Sequence, residues 1–367
     1  MIKRMLSGKT HFGKDPQQAM KKYNVLDVTL RDGGCVLDFR FGRENMERIL
    51  AAQEEAGIDL IELGYIDEEN GSAAGRTMYC SEQVIPEALL HQKKPGITYV
   101  AMIDCGRYDT SRLQPRTEGG IDGIRLAFHK KDRQSMMRMG QEILEKGYRL
   151  FLQPMVIMRY SDREFLELID LVNRELADAA AFYIVDSFGE MRPMDVIRRL
   201  SLLDENLAWH MPMGLHTHNN MQLSFSNALT LLQYRTHRRI ILDSSIRGMG
   251  KGAGNLNTEL LLECLNRSYG GRYAIQPLLE LIDQVINRLQ KEHPWGYAPE
   301  YYLSSKYRCS PTYAGFFYRE MRLSIEETEK LLAMIEEDKR SSFDRTYAAG
   351  LAAMSDADET GPDGRCR

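Results

Sequence analysis

Two histidines separated by one residue, His216 and His218, are the residues whose types and spacing point most directly to chemistry. The run Met213–Thr217 opens apolar after Pro212 and fits no helical period, so it predicts a short buried strand. Side chains at positions i and i+2 of a strand lie on the same face, so both imidazoles would project together. Imidazole is a common ligand of first-row divalent metals, although a hydrogen-bonded structural pair would have the same spacing. The pattern therefore indicates a metal site or a structural histidine pair.

A carboxylate and a guanidinium follow the first predicted strand and could complete such a site. Asp32 is the natural third ligand, because one carboxylate and two imidazoles make a mixed oxygen and nitrogen site with open positions for substrate or water. Such a site suits Mn2+, Mg2+, Fe2+ or Zn2+. Arg31 beside it would stabilise the negative charge that develops on an enolate. The chemistry indicated is metal-assisted enolisation.

The elements that would position these residues form a repeating pattern of strands and helices. Near-continuous apolar strands separated by amphipathic helices predict a parallel sheet covered on both faces, and eight units over about 250 residues are typical of a (β/α)8 TIM barrel. A doubly wound open sheet would need a glycine-rich turn that opens directly into a helix, whereas Arg31-Asp-Gly-Gly34 is followed by a loop. The predicted strands are Val25–Leu30, Leu60–Tyr65, Ile97–Ile103, Gly123–Phe128, Arg149–Met155, Phe182–Asp186, Met213–Thr217 and Arg239–Asp243.

The chain is expected to divide into four parts. An N-terminal extension of residues 1–23 precedes the barrel at residues 24–272. Residues 273–345 contain two apolar helical patterns around an aromatic-rich stretch, which predicts a C-terminal helical appendage. Residues 346–367 end in a polar stretch with Gly and Pro, which predicts a disordered tail.

Composition is that of a globular protein with a full core. The 367 residues are 43% hydrophobic and 27% charged, and a formal net charge of -4 gives no electrostatic footprint for nucleic acid or a membrane surface. No run approaches the roughly 18 apolar residues of a membrane-spanning helix. The six cysteines have no paired spacing, which indicates reduced thiols in the cytoplasm rather than a disulfide framework.

Further polar residues lie at the same ends of the predicted strands, where barrel enzymes carry their active sites. A buried charge there costs several kcal/mol unless it is paired or bound to metal, so catalysis and salt bridges that close the barrel are both open interpretations. The glycine-rich stretch 248–254 could cradle an anion or simply form a tight loop. The polar residues are Glu62, Arg125, His129, Gln153, Asp186 and Asp243.

Four motifs together resemble the DRE-TIM metallolyase superfamily, whose members are HMG-CoA lyase-like, and the 4-hydroxy-2-oxovalerate aldolases in particular. They occur in the family's order, and the resemblance runs from about Leu26 to Leu265 and weakly on to Tyr318. It implies a TIM barrel and a metal-dependent carbon–carbon lyase. The motifs are Asp27-Val-Thr-Leu-Arg-Asp-Gly33, Ile61-Glu-Leu-Gly64, Gly214-Leu-His-Thr-His-Asn219 and Asp243-Ser-Ser-Ile-Arg-Gly-Met-Gly-Lys-Gly-Ala-Gly-Asn255.

The resemblance implies a ligand set for one divalent cation. Asp32, His216 and His218 match the family's metal-binding Asp and two His, and Asn255 matches an Asn that ligates metal in several members. The cation expected is Mn2+, with Mg2+, Zn2+ or Co2+ as alternatives.

The resemblance also implies roles around the substrate. Arg31 matches the enolate-stabilising arginine, and Glu62 matches a glutamate that orients this arginine or a metal-bound water. Tyr313 matches a tyrosine that the aldolases bring to the active site from their C-terminal region. Gln153 and Asn219 are expected to contact the substrate.

One position departs from the aldolase pattern. The aldolases carry a histidine shortly after Arg-Asp-Gly that is proposed to act on the substrate hydroxyl, and Cys35 stands at that position here. A thiol with a pKa near 8.5 can do this work only if its surroundings tune it. Either Cys35 has taken over the acid/base task, or the base is elsewhere, with His129 as a candidate, or the substrate differs.

The first functional hypothesis is an aldolase-type lyase or carboligase that acts on a 2-oxo acid through a metal-stabilised enolate. The alternative is an acyl-CoA-dependent Claisen condensing enzyme similar to 2-isopropylmalate synthase, although no CoA site is visible in the sequence. A scaffold with a vestigial site is disfavoured by the intact residue set, and an iron oxygenase by the barrel pattern. Expected partners are a small 2-oxo acid, an aldehyde, a second copy of the chain and an aldehyde-processing enzyme.

Overall fold

Eight parallel strands close into a barrel in the computed structural model, which describes residues 22–71, 74–85, 89–90 and 93–359. The order around the barrel is β1-β9-β8-β7-β6-β5-β4-β2, and pairing of β1 with β2 closes it. β3 is a two-residue strand added beside β2. The strands are β1 (Tyr23–Asp27), β2 (Leu60–Ile66), β3 (Met78–Tyr79), β4 (Thr98–Asp104), β5 (Gly123–Phe128), β6 (Arg149–Pro154), β7 (Ala181–Asp186), β8 (Met213–Thr217) and β9 (Ile240–Ser244). The predicted (β/α)8 fold is confirmed.

Helices surround the barrel and build the C-terminal region. The barrel helices are Arg43–Glu55, Arg133–Glu145, Asp162–Glu175, Pro193–Asn206, Ser224–Gln233 and Thr258–Ser268. The C-terminal helices are Gln276–Leu281, continued through a π-helical turn at Ile282–Ile286 into Asn287–Glu292, then Pro299–Lys306, Pro311–Gly315 with a π-helical continuation at Phe316–Glu320, Ile325–Met334 and Arg345–Glu359. Short 3-10 turns lie at Gly33–Val36, Glu82–Val84, Thr110–Arg112, Lys130–Asp132, Ile157–Arg159 and Ile246–Gly248.

The strands are apolar on both faces because both are buried. All six residues of β5 are buried, with Ile124, Leu126 and Phe128 in the layer between sheet and helices. In each strand the alternate residues point into the barrel. There, Phe151 of β6 and Tyr183 of β7 belong to a separate apolar cluster. This double burial explains why the strands read as continuous apolar runs.

The first strand ends earlier than predicted, and its early end positions two candidate residues. Asp27 accepts a hydrogen bond from the backbone N of Thr29 at 2.8 Å, so the chain turns after Asp27 instead of continuing to Leu30. The backbone N–H groups of Arg31 and Asp32 then donate to the Val28 carbonyl at 3.1 and 2.8 Å. This turn holds both residues at the C-terminal end of the barrel.

The C-terminal region has its own hydrophobic cluster, and it changes one expectation. The predicted disorder from residue 346 is wrong as far as Glu359, because Arg345–Glu359 is helical. Ala348, Leu351 and Ala352 of this helix are buried in the cluster, a long-range contact that the polar composition of the tail does not reveal. Residues 360–367, like residues 1–21, lie outside the described residues.

No helix in the described part of the chain is long and apolar enough to cross a membrane.

Candidate active site

A cavity of about 390 Å³ opens at the C-terminal ends of the strands. Its lining includes seven of the residues expected from sequence: Arg31, Asp32, Cys35, His129, Gln153, His216 and His218. The C-terminal region contributes Ser310 and the segment Ser341–Phe343 to the same cavity. The appendage therefore forms part of the wall opposite the barrel.

Asp32, His216 and His218 converge on one point. One potential ligand atom from each residue lies within 4.8 Å of those of the other two, and all three residues are buried. The two imidazole rings are 5.1 Å apart at their centroids and nearly perpendicular. Such a buried group of one carboxylate and two imidazoles has the donor set and spacing of a first-row divalent metal site.

Outer contacts orient both imidazoles. Nδ1 of His216 lies 2.9 Å from Oδ2 of Asp243, and Nδ1 of His218 lies 3.2 Å from the carbonyl oxygen of Lys251. If each Nδ1–H donates to its oxygen, the Nε2 lone pair of each ring is left for a metal. Contacts of this kind fix the tautomer of metal-binding histidines.

The charge states of two of the candidate ligands, His218 and Asp32, also suit a cation. Burial lowers the pKa of His218 to about 4 in spite of the nearby carboxylate of Asp32, so the ring is neutral at neutral pH. Burial opposes ionisation of Asp32, but Arg31 and the two imidazoles hold its pKa well below the usual range. A metal would thus meet an ionised carboxylate and a neutral imidazole, the forms that bind metals.

Asn255 is buried in contact with Asp32. Its Nδ2 donates to Oδ2 of Asp32 at 2.5 Å, and its Oδ1 is buried without a hydrogen-bond partner among the described residues. An unpartnered buried acceptor is costly unless something outside the protein chain satisfies it. The orphaned oxygen next to Asp32 therefore fits a divalent cation at this position.

A buried ion network links the metal-ligand group to Arg31. Nε of Arg31 donates to Oε2 of Glu62 at 2.8 Å, and one terminal nitrogen donates to Oδ1 of Asp32 at 2.8 Å. Arg125 donates to the same Glu62 oxygen at 2.8 Å and also to Asp243, the partner of His216. Burial disfavours the charged guanidinium of Arg31, but Glu62 and Asp32 raise its pKa. Glu62 therefore holds the guanidinium of Arg31 in place.

The glycine-rich loop after β9 packs directly on the ligand group. A Cβ atom on Gly250 would lie 2.7 Å from Oδ2 of Asp32, closer than real Cβ atoms approach. Glycine at this position lets the loop backbone reach the site. The loop also carries Lys251 into the cavity. Gly250 therefore serves close approach to the candidate ligand residues, whereas a Cβ on Gly252 would meet Asn220 and Pro311, and one on Gly254 would meet the Gly248 carbonyl.

The two candidates for the general base both face the cavity but differ in protonation. The cavity walls, which limit hydration, and the negative charge of Asp32 raise the pKa of the Cys35 thiol to about 12. Burial lowers the pKa of His129 below its ordinary value. At neutral pH Cys35 is therefore a protonated thiol, whereas His129 is a neutral imidazole that can accept a proton.

Of the two other residues expected to contact the substrate, the structure places only Gln153 in the cavity wall. Gln153 is buried in the cavity wall, and its Nε2 has no hydrogen-bond partner among the described residues. Asn219 does not line the cavity; its Oδ1 accepts hydrogen bonds from the backbone N and the hydroxyl of Ser224 at 3.2 and 2.8 Å. Asn219 therefore holds the start of the helix Ser224–Gln233.

Tyr313 also lies away from the cavity. It is fully buried in the C-terminal cluster, and its hydroxyl lies 3.2 Å from the carbonyl oxygens of Lys339 and Ser342. The backbone N of Asp344 donates to the same hydroxyl. Tyr313 thus supports the segment that contributes Phe343 to the cavity wall, and it does not touch the cavity.

Sequence reasoning missed the wall formed by β2 and β4. Tyr65, Asp104 and Arg107 line the cavity, and Tyr65 forms a hydrogen bond with Asp104. Burial raises the pKa of Asp104, whose Oδ1 has no partner among the described residues. Each residue lies at or just beyond the C-terminal end of a strand. The strand-end rule that selected the other candidates would have found Asp104 and Arg107 had it been applied to β4, and Tyr65 had it been applied to the last residues of β2.

The chain is similar in sequence to known proteins of one family. The sequence profile of the HMGL-like family matches residues 127–283. A 4-hydroxy-2-oxovalerate aldolase from Geobacillus genomosp. 3 is 32% identical over 254 residues, which are 69% of this chain and 72% of that protein. A second protein of that name, from Thermomicrobium roseum, is 34% identical over 248 residues, 66% of each chain.

Solved structures agree with the fold. HMG-CoA lyase from Bacillus subtilis superposes with a TM-score of 0.57 at 14% identity, over 76% of this chain and 95% of that chain. At this identity the likeness is one of fold alone.

Proposed function

The chain belongs to the HMGL-like (DRE-TIM) family and is a lyase of the aldolase type, and we propose that it cleaves or forms a 4-hydroxy-2-oxo acid, with a 2-oxo acid and an aldehyde as the other reactants. The observation that carries this proposal is the convergence of Asp32, His216 and His218 beside Arg31 in one cavity. No observation favours the acyl-CoA-dependent alternative.

The metal would be held by Asp32, His216 and His218, with the unpartnered Oδ1 of Asn255 available beside them. We propose Mn2+ as the ion, with Mg2+, Zn2+ or Co2+ as alternatives. When bound, such a cation supplies a Lewis acid that polarises the 2-oxo acid. The neighbouring Arg31 keeps Asp32 ionised, and burial keeps His218 neutral, as metal binding requires.

Arg31 would stabilise the charge that develops during the reaction. Its guanidinium is fixed by Glu62 and Asp32, so its remaining N–H donors are already oriented before the substrate binds. As the bond between C3 and C4 breaks, its electron pair moves to the enolate, and Arg31 would donate to the enolate oxygen. Preorganised donors of this kind lose no energy to reorientation during the reaction.

His129 would accept the proton of the 4-hydroxyl group as the aldehyde carbonyl forms. Its ring is half-buried in the cavity wall and neutral at neutral pH, whereas Cys35 keeps its proton. Gln153, with an unpartnered Nε2, would donate a hydrogen bond to the substrate. The enolate is then protonated at C3, which releases the 2-oxo acid.

Solvent deuterium exchange at C3 of pyruvate or 2-oxobutyrate tests the proposal. Exchange needs only enolisation, so it reports the half-reaction without knowledge of the aldehyde. We expect exchange that depends on added Mn2+ and that His216→Ala abolishes. No exchange with any of the four metals, or consumption of acetyl-CoA in a parallel assay, would overturn the proposal.

We propose a cytoplasmic enzyme, supported by the unpaired spacing of the six cysteines, that works as a homo-oligomer beside an enzyme that processes the aldehyde. Light scattering after size-exclusion chromatography tests the oligomer: a monomer at micromolar concentration would contradict it.

A further inference from the structure

Lys251 places a positive charge in the cavity that the described residues do not neutralise. It follows Gly250 in the loop after β9 and lines the cavity. No ion pair or hydrogen bond to its ammonium group occurs within the described part of the chain. Its charge acts on His218, Cys35 and His129, which line the cavity on both sides. The ammonium group therefore faces the interior of the cavity.

Arg107 adds a second such charge at the cavity mouth. It follows β4, is exposed, and lines the same cavity. Its guanidinium makes no ion pair or hydrogen bond within residues 22–71, 74–85, 89–90 and 93–359, although its charge acts on Asp104. Unlike Arg31, which Glu62 and Asp32 hold, Arg107 is available to a ligand.

Lys251 and Arg107 lie at different places in the cavity relative to the candidate metal ligands. Asp32 follows β1, and His216 and His218 lie on or just after β8, whereas Arg107 and His129 follow β4 and β5 on another part of the wall. Lys251 enters the cavity from the loop that packs on Asp32 and His218, and its charge acts on His129 as well as on His218. A 2-oxo acid held at the metal-ligand group would direct its remaining carbons toward that part. Ser341 and Ser342 of the C-terminal region line the cavity as well and add hydroxyl groups.

We propose that Lys251 and Arg107 form a subsite for a second anionic group, a carboxylate or a phosphate, on the aldehyde portion of the substrate. The inference rests on the proposed function and narrows it to aldehydes that carry a negative charge. An uncharged aldehyde would offer neither cation a partner, whereas an anionic one would gain charge-assisted hydrogen bonds. Sites built for a polar group discriminate strongly against analogues that lack it.

Binding of two 2-oxo acids of equal chain length isolates the distal charge. 2-Oxoglutarate and 2-oxopentanoate share the carboxylate and keto group at one end, and they differ in a carboxylate or a methyl group at the other. By isothermal titration calorimetry with Mn2+ present, we expect 2-oxoglutarate to bind the wild-type protein about 10–100-fold more tightly. Lys251→Met and Arg107→Met should reduce that ratio toward one. Lys291→Met, an exposed lysine outside the cavity, should preserve it.

Acceptor aldehydes distinguish the two kinds of anion. In carboligation with pyruvate, succinic semialdehyde is compared with butanal, and glyceraldehyde 3-phosphate with glyceraldehyde. A higher kcat/KM for one charged member identifies the group as carboxylate or phosphate, and the preference should fall in both methionine variants.

Three results would overturn the inference without touching the proposed function. The first is pyruvate exchange in an enzyme that shows no preference for either charged ligand. The second is a preference that persists in both methionine variants. The third is an equal loss of affinity for both 2-oxo acids in Lys251→Met. The last result would place Lys251 on the shared carboxylate instead. Absence of pyruvate exchange in the wild-type enzyme would count against the proposed function itself.

Discussion

Arg31 is the residue whose geometry is most closely tied to the proposed reaction. Its guanidinium bonds Glu62 through Nε and Asp32 through a terminal nitrogen, and it is almost fully buried. Lysine keeps a positive charge but cannot reproduce this planar, two-sided contact. The fork shape, not the charge alone, holds the donor in place for an enolate oxygen.

Arg31→Lys should therefore retain metal binding and lose turnover. Removing one preorganised oxyanion donor typically costs on the order of 10²–10³ in rate. The measurement is pyruvate deuterium exchange beside a calorimetric Mn2+ titration, with the exposed Arg163→Lys as control. Near-normal exchange in the Arg31 variant would mean that the residue is structural.

Cys35 and His129 offer a second test at the residue scale. Because the raised pKa keeps the Cys35 thiol protonated, Cys35→Ser should change neither exchange nor cleavage by more than a few fold. His129→Ala should reduce cleavage far more than exchange, since only cleavage requires the 4-hydroxyl proton to leave. Comparing the two rates for each variant decides the base. The reverse pattern, a cleavage defect confined to Cys35→Ser, would assign the task to the thiol.

The pH profile of cleavage should follow the same assignment. A base works only when deprotonated, and burial lowers the pKa of His129 from its ordinary value of 6.5. Cleavage should therefore persist as the pH falls to 6.5 and decline only below it. A decline that begins at alkaline pH would be inconsistent with His129.

At the scale of elements, Gly250 allows the backbone of the loop after β9 to pack closely against Asp32. Gly250→Ala should weaken Mn2+ binding, because the added Cβ would press on Oδ2 of Asp32. Gly315→Ala is the matched control: it lies at a helical position with nothing within 4 Å, so alanine there should be neutral or slightly stabilising. Calorimetry and thermal unfolding of both variants test the contrast. Equal Mn2+ affinity in the two would show that the loop can move away.

The Tyr313 hydroxyl holds the backbone of the segment after residue 338 in place. Tyr313→Phe removes the hydroxyl that contacts Lys339, Ser342 and Asp344. We expect a loss of about 1 kcal/mol of unfolding free energy, the usual worth of a buried hydrogen bond, with little change in exchange rate. The partly exposed Tyr302→Phe serves as control in denaturant unfolding. A large loss of turnover with unchanged stability would instead support the catalytic role that the sequence suggested.

Local sequence patterns predicted the strands and the group of candidate ligand residues that the structure brings together, but not the cavity walls between them. Residues His216 and His218 could be found because strand alternation is a short-range rule. Tyr313 was placed near the substrate from resemblance, yet its partners are backbone groups about 30 positions along the chain, which local patterns cannot reveal. The helix Arg345–Glu359 was missed for the same reason, since its order depends on packing against a distant cluster.

At the scale of the whole molecule, the buried network joins β1, β2, β5, β8 and β9 around one prospective cation. Asp243 contacts both Arg125 and His216, and Glu62 contacts both Arg125 and Arg31. A ligand bound to this network should therefore stabilise most strands of the barrel together. Binding to the folded state alone raises stability in proportion to the logarithm of ligand concentration.

Mn2+ at 100 times its dissociation constant should thus add about 2.7 kcal/mol to the unfolding free energy. For a chain of this size that corresponds to a rise of several degrees in Tm, measured by calorimetry after treatment with a chelator and again after Mn2+ is restored. His218→Ala should unfold at the same temperature with and without Mn2+, because it lacks one of the three ligands. If the wild-type protein also shows no rise while its pyruvate exchange responds to Mn2+, the functional metal must be bound elsewhere than at Asp32, His216 and His218.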